Sequence, residues 1–473
     1  MTPTAQAAAL KMENNSPIPC GISTLIYESA LLHAARTFAL SHATRYISAQ
    51  LSQVVNVQSP HLAELKKIEF IVELARRLHI YGTSAQRLEA AVEKVAKTLA
   101  IDAEVWSNPT GMLLSFHDTE RGTPYRMTQV IRLEPGDVNL GRLAKADAIA
   151  EDVLEGKRDI VTGLADLRAL DKPPRPITIP LTILCFGLAS ASVTGLLPKT
   201  GWADLSAAAL LGVMIGAITI YTEKSRRWVD AHEAISAFIV TLLASAIATF
   251  IAPLSLQGVV IAALIVLMPG LALTTAITEL SAKQLVSGTA RFAGALTILL
   301  KLAFGTVAAT QIVEVLGWVP LSNANMPTLP EWMPWFTLLA GSFAFSVLFK
   351  TARRDVLLVM ASVWLGYFMT KLGAMLPGAA ESQYPVGVFV ASFVVTAVGN
   401  AYGRVFNRPG ALIRVPGIIL LVPGSVGFRS FSFVFERDLL LGLDLAFAVV
   451  AALIALLAGI LFGNLLVSAR RSL

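Results

Sequence analysis

The stretch from Leu264 to Gly305 is apolar enough to enter a bilayer. Yet Met268-Pro269-Gly270 interrupts its first apolar run, and a polar string, Thr274, Thr275, Thr278 and Glu279, follows. Proline removes a backbone donor and clashes with the preceding turn, so a Pro-Gly pair here breaks a helix. In hydrocarbon, freed peptide groups survive only where protein buries them or where they line a wet cavity. A broken span therefore marks a candidate ligand path. The same punctuation returns 154 residues later at Leu421-Val422-Pro423-Gly424.

The rest of the chain suits that environment. Of 473 residues, 55% are hydrophobic and 15% charged, and mean hydropathy is +0.65, which excludes an ordinary soluble protein. Charge is divided unevenly: residues 1–172 carry a net −1 and residues 173–473 a net +7. We assign the positive excess to loop topology, with no nucleic-acid partner. Cys20 and Cys185 fall in different regions and offer no disulfide framework. No charged, apolar and small-residue sequence of a secretory signal opens the chain, so the first polar region is expected in the cytoplasm.

Residues 1–58 are expected to form a mobile extension with a weakly amphipathic stretch, Gly21 to Leu51. A domain over 59–172 follows. Ser59-Pro60 caps a helix in which Leu65, Ile68, Val72, Ala75 and Leu78 recur at helical spacing, and Gly82 stops it. Thr83-Ser84-Ala85-Gln86 fits a capping box opening a second helix. Glu104 to Asn108, Met112 to Phe116 and Tyr125 to Leu133 alternate like the strands of an antiparallel sheet, punctuated by Asn-Pro and Arg-Gly-Thr-Pro turns. Helices over Asn139–Glu155 and Asp159–Leu170 complete a cytoplasmic α+β domain, which Lys172-Pro-Pro-Arg-Pro176 ends.

About 20 residues of helix cross a bilayer. Ten such runs are expected, at 180–197, 203–222, 232–251, 256–278, 286–309, 333–349, 355–376, 385–403, 411–431 and 439–467. With the first domain inside, Lys224, Arg226, Arg227, Lys283, Lys350, Arg353, Arg354, Arg404, Arg408, Arg470 and Arg471 all fall on inner connections. The predicted topology has both termini in the cytoplasm, with Arg429 and Arg437 as exceptions. A shift of 154 pairs Pro180 with Pro334, Gly187 with Gly341, Gly212 with Gly366, Gly288 with Gly442 and Gly305 with Gly459. Five spans per unit is odd, so units 180–310 and 333–467 should lie in opposite orientations. The fold class expected is thus an α-helical polytopic membrane protein of ten transmembrane helices in two inverted five-helix repeats. Paired broken helices in such repeats place a solute near the midplane of secondary transporters.

At Tyr81-Gly82-Thr83-Ser84, Val138-Asn139-Leu140, Pro269-Gly270, Glu279, Ser287-Gly288, Arg291, Pro423-Gly424 and Gly442, the chain resembles the threonine/serine exporter family, over roughly residues 65–465. Glu279 stands where that family often has Asp. The resemblance implies export of small amino acids driven by protons across the inner (plasma) membrane or, as in related two-chain systems, export of a dicarboxylate. A hydrolase acting through the N-terminal domain is the alternative from another class, and no residues here support it. His61, His79, His117 and His232 lack metal-ligand spacing, and no nucleophile elbow or phosphate loop is present. No enzyme activity, cofactor or metal is expected, and homo-oligomerisation stays open.

The candidate substrate-binding residues are Pro269, Gly270, Thr274, Thr275, Thr278, Pro423, Gly424, Ser425 and Arg429. Each has a plainer reading: proline and glycine kink many membrane helices, and hydroxyls routinely bond helix to helix. Glu279, Asp444 and Lys301 are the proton-coupling candidates, because intramembrane ionisable groups are costly to keep. Lys301 can instead extend its ammonium toward the outer surface. Arg291, Lys371 and Arg414 are expected to be anchors, with Asn400 and Asn464 in packing roles.

Overall fold

The computed structural model describes residues 64–118, 125–171, 178–222, 226–322, 327–376 and 385–469. The expected extension 1–58, the Ser59-Pro60 cap, Cys20, His61, the Arg-Gly-Thr-Pro turn and the 172–176 linker lie outside the described residues. Residues 67–473 form one compact unit.

Its polar part starts with helix α1 (64–80), ended by Gly82 at φ +80°. Gly82 N–H donates to His79 O (3.1 Å) and Thr83 N–H to Leu78 O (3.1 Å), the closing pattern that a left-handed glycine allows. Helix α2 is Ala85–Thr98. Strands β1 (Asp102–Asn108), β2 (Gly111–Asp118) and β3 (Tyr125–Arg132) form an antiparallel sheet in sequence order. Helices α3 (Leu140–Leu154) and α4 (Ile160–Ala169) follow, with Asn139 Oδ1 accepting from Arg142 N–H (3.0 Å) and Asp159 Oδ2 from Val161 N–H (3.1 Å) at their starts. Phe70, Leu74 and Leu78 pack with Leu88, Leu114 and Leu167 into one apolar core. The expected Thr83–Gln86 capping box does not form: Ser84 is the N-cap and makes no side-chain bond, and the first free N–H of α2 finds a partner far along the chain.

The apolar part comprises α5 (Thr178–Leu196), α6 (Trp202–Thr222), α7 (His232–Phe250), α8 (Leu256–Leu264), α9 (Gly270–Ser281), α10 (Leu285–Val315), α11 (Met333–Leu348), α12 (Val356–Ala374), α13 (Val386–Phe406), α14 (Ala411–Ile418), α15 (Gly424–Phe435) and α16 (Leu439–Leu466). Among the described residues, eight spans are long and apolar enough to cross a membrane, α14 and α15 (Ala411–Phe435) counting together as one of them, or up to nine if α8 and α9, bent by 58° at their break, are also one span. The protein is thus a mostly helical, multi-pass membrane protein. Helix α11, with 16 residues, is shorter than a full crossing needs.

The breaks fall where proline predicts them. After α8 a short 3-10 turn, Ile265–Leu267, leads into Met268 at φ −70°, ψ 128° and Pro269 at φ −80°, ψ 47°. After α14 the turn is Ile419–Leu421, with Val422 at −75°, 128° and Pro423 at −80°, 36°. Each residue lies 154 after its counterpart. The correspondence continues: Gly270 N–H donates to Met268 O (2.8 Å) and Gly424 N–H to Val422 O (2.9 Å). Lys283 and Arg437, which end α9 and α15, both turn the chain at positive φ, 63° and 67°. The two breaks repeat one set of torsions, although the first bends its helices by 58° and the second leaves Ala411–Phe435 as a single span.

They also meet. A Cβ built on Gly270 would lie 2.8 Å from Val422 Cγ1, and one on Gly424 would lie 3.4 Å from Met268 Cβ and 3.5 Å from Gly270 Cα. Helix α10 packs on α15 and α16 on α9, while α5 packs on α11. A buried carboxylate, Asp204, ties two connections by accepting from Gly201 N–H (2.8 Å) and Ser255 N–H (2.6 Å).

Candidate functional site

Where α3 begins, its free N–H groups seat the polar part on the apolar helices. Leu140 N–H donates to Phe349 O (3.0 Å) and Gly141 N–H to Lys350 O (3.2 Å), so the orphan donors of one helix meet the orphan acceptors of α11. Leu140 and Ala144 pack with Phe345, Phe349, Val359 and Leu412 beneath this joint.

Beside it lies a cavity of about 190 Å³. Its walls are the α1–α2 turn (Tyr81 to Arg87), one face of α9 (Leu271, Thr274, Thr275, Thr278) and the start of α14 (Ala411, Arg414, Val415, Ile418), with Asn464 from α16. Three of the threonines expected to bind substrate are therefore brought together. Thr274 Oγ1 donates to Gly270 O (3.3 Å) and Thr278 Oγ1 to Thr274 O (2.7 Å), which leaves their oxygens as acceptors. Two cations enter that were not foreseen as site residues. Arg87 is partly buried, and burial pushes its guanidinium down to about 10. Arg414, expected to be an anchor, is only 9% exposed. Among the described residues, no aspartate or glutamate is in the lining.

Glu279 follows the last of these threonines and is 1% exposed. Its carboxylate accepts from Arg291 Nε (3.2 and 3.1 Å), Ser287 Oγ (2.7 Å) and Ala85 N–H (2.9 Å). The last bond is the missing cap of α2, and a carboxylate at a helix N-terminus also meets the positive end of the helix dipole. Close by, Gln284 donates to Glu89, whose other oxygen accepts from Ser107 N–H (2.8 Å). Burial raises the Glu89 carboxyl and lowers the His79 imidazole, whose Nε2 lies 3.1 Å from Pro109 O. Arg291 is thus an ion-pair partner, where an anchor was expected.

The other candidates lie apart from the cavity. Arg429 stacks over Phe433 (5.9 Å to the ring centroid), with its Nε buried and unpaired. Asp444 is exposed on a lateral groove with Pro385 and Phe389. Lys301 does not extend outward as expected: its Nζ donates to Asp230 O (2.8 Å) and pairs with Glu233 (3.4 Å) at the start of α7, the segment the predicted topology puts on the inner side. Carboxylate and carbonyl there are closer partners than a distant interface. Gly270 and Gly424 meet at the junction, flanked in sequence by Pro269, Pro423 and Ser425, and none of the five is in the cavity lining. Asn400 donates to Asn464 Oδ1 (2.8 Å) and Val467 O (2.7 Å), joining α13 to α16. His117 faces Asp102 across the sheet (3.6 Å), and among the described residues no group of three acidic, His or Cys side chains could hold a metal ion.

Compared with known proteins, residues 69–313 match a threonine/serine exporter model, ThrE, and residues 335–466 a second one, ThrE_2. Among curated relatives, an uncharacterized protein of Schizosaccharomyces pombe is 24% identical, with 73% of this chain and 46% of that protein covered. Pheromone-regulated membrane protein 10 is 24% identical in Saccharomyces cerevisiae (73% and 45% covered) and 26% in Zygosaccharomyces rouxii (73% and 35%). The chain spans less than half the length of these relatives. No solved structure matches it.

Proposed function

The chain belongs to the threonine/serine exporter family, and from that premise we propose that it is a secondary active exporter of threonine and serine, coupled to protons. In this reading ten transmembrane helices form two inverted five-helix repeats, α5–α10 and α11–α16, in the inner (plasma) membrane. The polar region, an α+β domain, sits on the cytoplasmic side with both termini.

The observation that carries the proposal is the meeting of the two breaks. Gly270 against Val422 and Gly424 against Met268 are one contact made twice, with partners exchanged. The pairs α10–α15 and α9–α16 exchange in the same way, as a two-fold relation between units would require. Such an axis through two interrupted helices is the arrangement around which one unit rocks against the other in alternating access. Pro269, Gly270, Pro423, Gly424, Ser425 and Arg429 belong to the moving junction, and Thr274, Thr275 and Thr278 to the solute path.

Glu279 is the leading proton carrier, ahead of Asp444 and Lys301. Protonating it weakens three charge-assisted bonds at once, including the cap of α2, and so loosens α9 from the polar region. Counterflow of labelled threonine and serine in proteoliposomes tests the transport reading. Glu279→Gln is expected to retain exchange but lose its response to a pH gradient. A variant that still responds removes Glu279 from coupling. A small organic dianion is the second substrate reading, favoured by a cavity wall that, among the described residues, holds two arginines and no acid.

A further inference from the structure

We propose that the cavity between the α1–α2 turn, α9 and α14 binds the carboxylate of a small organic solute, with Arg414 as its principal partner and Arg87 as a second cation. This rests on the transport reading above and adds where the solute sits and which of its groups is recognised.

Arg414 is nine-tenths buried, and its stem lies along Gly399, where a Cβ would fall 2.8 Å from Arg414 Cγ. Among the described residues its guanidinium makes no hydrogen bond or ion pair, and the same holds for the Arg87 side chain. A guanidinium carries five donors, and burying one without an anion is strongly unfavourable. Among the described residues the lining holds no carboxylate to supply that anion. A ligand would supply it, and a planar carboxylate matches the guanidinium fork with two parallel bonds. The apolar side chains of Leu271, Val415 and Ile418 suit a carbon skeleton, and about 190 Å³ admits only a small one. The hydroxyl oxygens of Thr274 and Thr278, their protons committed to the helix, accept from an ammonium or hydroxyl of the same solute.

The test uses full-length protein purified in detergent, with L-threonine, succinate, threonine amide and inorganic phosphate as calorimetric probes. A carboxylate-bearing probe is expected to bind, and threonine amide and phosphate are not. Arg414→Gln is expected to weaken binding about tenfold to a hundredfold. Arg414→Lys should fall between, since an ammonium keeps charge without the fork. Lys371→Gln, at a side chain set over Tyr367 (4.8 Å to the ring centroid), serves as the unaffected control. Binding of threonine alone identifies a zwitterion as the source of the carboxylate, and of succinate alone an organic acid; either upholds the site. In the dianion case Arg87→Gln should weaken binding as well.

A readout that needs no variant is amide exchange in the wild-type protein, which the bound probe should slow at 81–87 and 409–418. Failure of every carboxylate probe to bind, or unchanged affinity in folded Arg414 variants, overturns the proposal. If carboxylates bind through Arg414 but counterflow is absent, the transport reading falls and the site stands. If counterflow proceeds with affinity unchanged in Arg414→Gln, transport stands and the site falls.

Discussion

The segments 264–288 and 418–442 share their torsions at the Pro-Gly breaks and at their ends, and carry different side chains. In the first, Thr274, Thr278 and Glu279 face a cavity and a latch to the polar region; at the equivalent positions the second holds Phe428, Ser432 and Phe433. Glycine and proline fix the geometry of both, because a junction of two interrupted helices needs close approach and a missing donor. The first copy alone has a polar partner to meet, so it alone carries a network of charge. The turn was duplicated, the charged network lies in the first segment, and the second unit adds Arg414 from α14 ahead of its own break.

The largest test of that asymmetry is Arg291→Ala. It leaves Glu279 buried without its cation, and we expect a loss of about 3 kcal/mol, read as a lower melting temperature of the purified protein. Next, Gly270→Ala forces a methyl to within 2.8 Å of Val422 and should cost about 2 kcal/mol. Gly424→Ala, whose nearest neighbour is 3.4 Å away, should cost clearly less; equal losses would mean that the breaks are interchangeable. Asn139→Ala removes the cap of α3 beside its joint with α11, at about 1 kcal/mol, detectable as faster amide exchange at 139–144. In the second segment, Arg429→Ala should change stability by less than about 1 kcal/mol, since its visible contact is one ring face.

The smallest effect is a pH dependence through His79. Burial is the main reason its pKa is lowered; the nearby charge of Arg291 on α10 adds to this and Glu279 opposes it. The unfolded chain then binds the proton more readily, so stability is full above the ordinary histidine value of about 6.5 and falls as pH drops below it. Glu279→Gln removes an opposing influence, lowers the folded pKa further, and should deepen that loss and extend it to lower pH while its onset stays at the unfolded value.

Much of the architecture was legible because it is written in backbone constraints. Gly82, Pro269-Gly270 and Pro423-Gly424 each stop a helix where their torsions require, and Asn139 and Asp159 cap the helices they were read to open. Side-chain partnerships across hundreds of residues were not legible. Glu279 caps α2 across 194 positions, a pairing no local pattern encodes, and so the Thr83–Gln86 motif was mistaken for the cap. Arg414 looked like an anchor because it sits in an apolar run near a predicted span end. Only the packing of α13 against α14 shows it buried and facing the cavity. Lys301 was misdirected for a related reason: its partners at the start of α7 are remote in sequence.

The hydrogen bonds of the joint between α3 and α11 run between peptide groups, above a small apolar cluster, which gives those bonds an unusual immunity. Most side-chain replacements at that seam leave its bonds in place, except at Gly141, where any Cβ would sit 2.6 Å from Lys350 O. Asn139 N–H in turn donates to Tyr81 O (3.3 Å), so a run of main-chain bonds ties the end of α11, through the start of α3, to the Tyr81–Arg87 wall of the cavity.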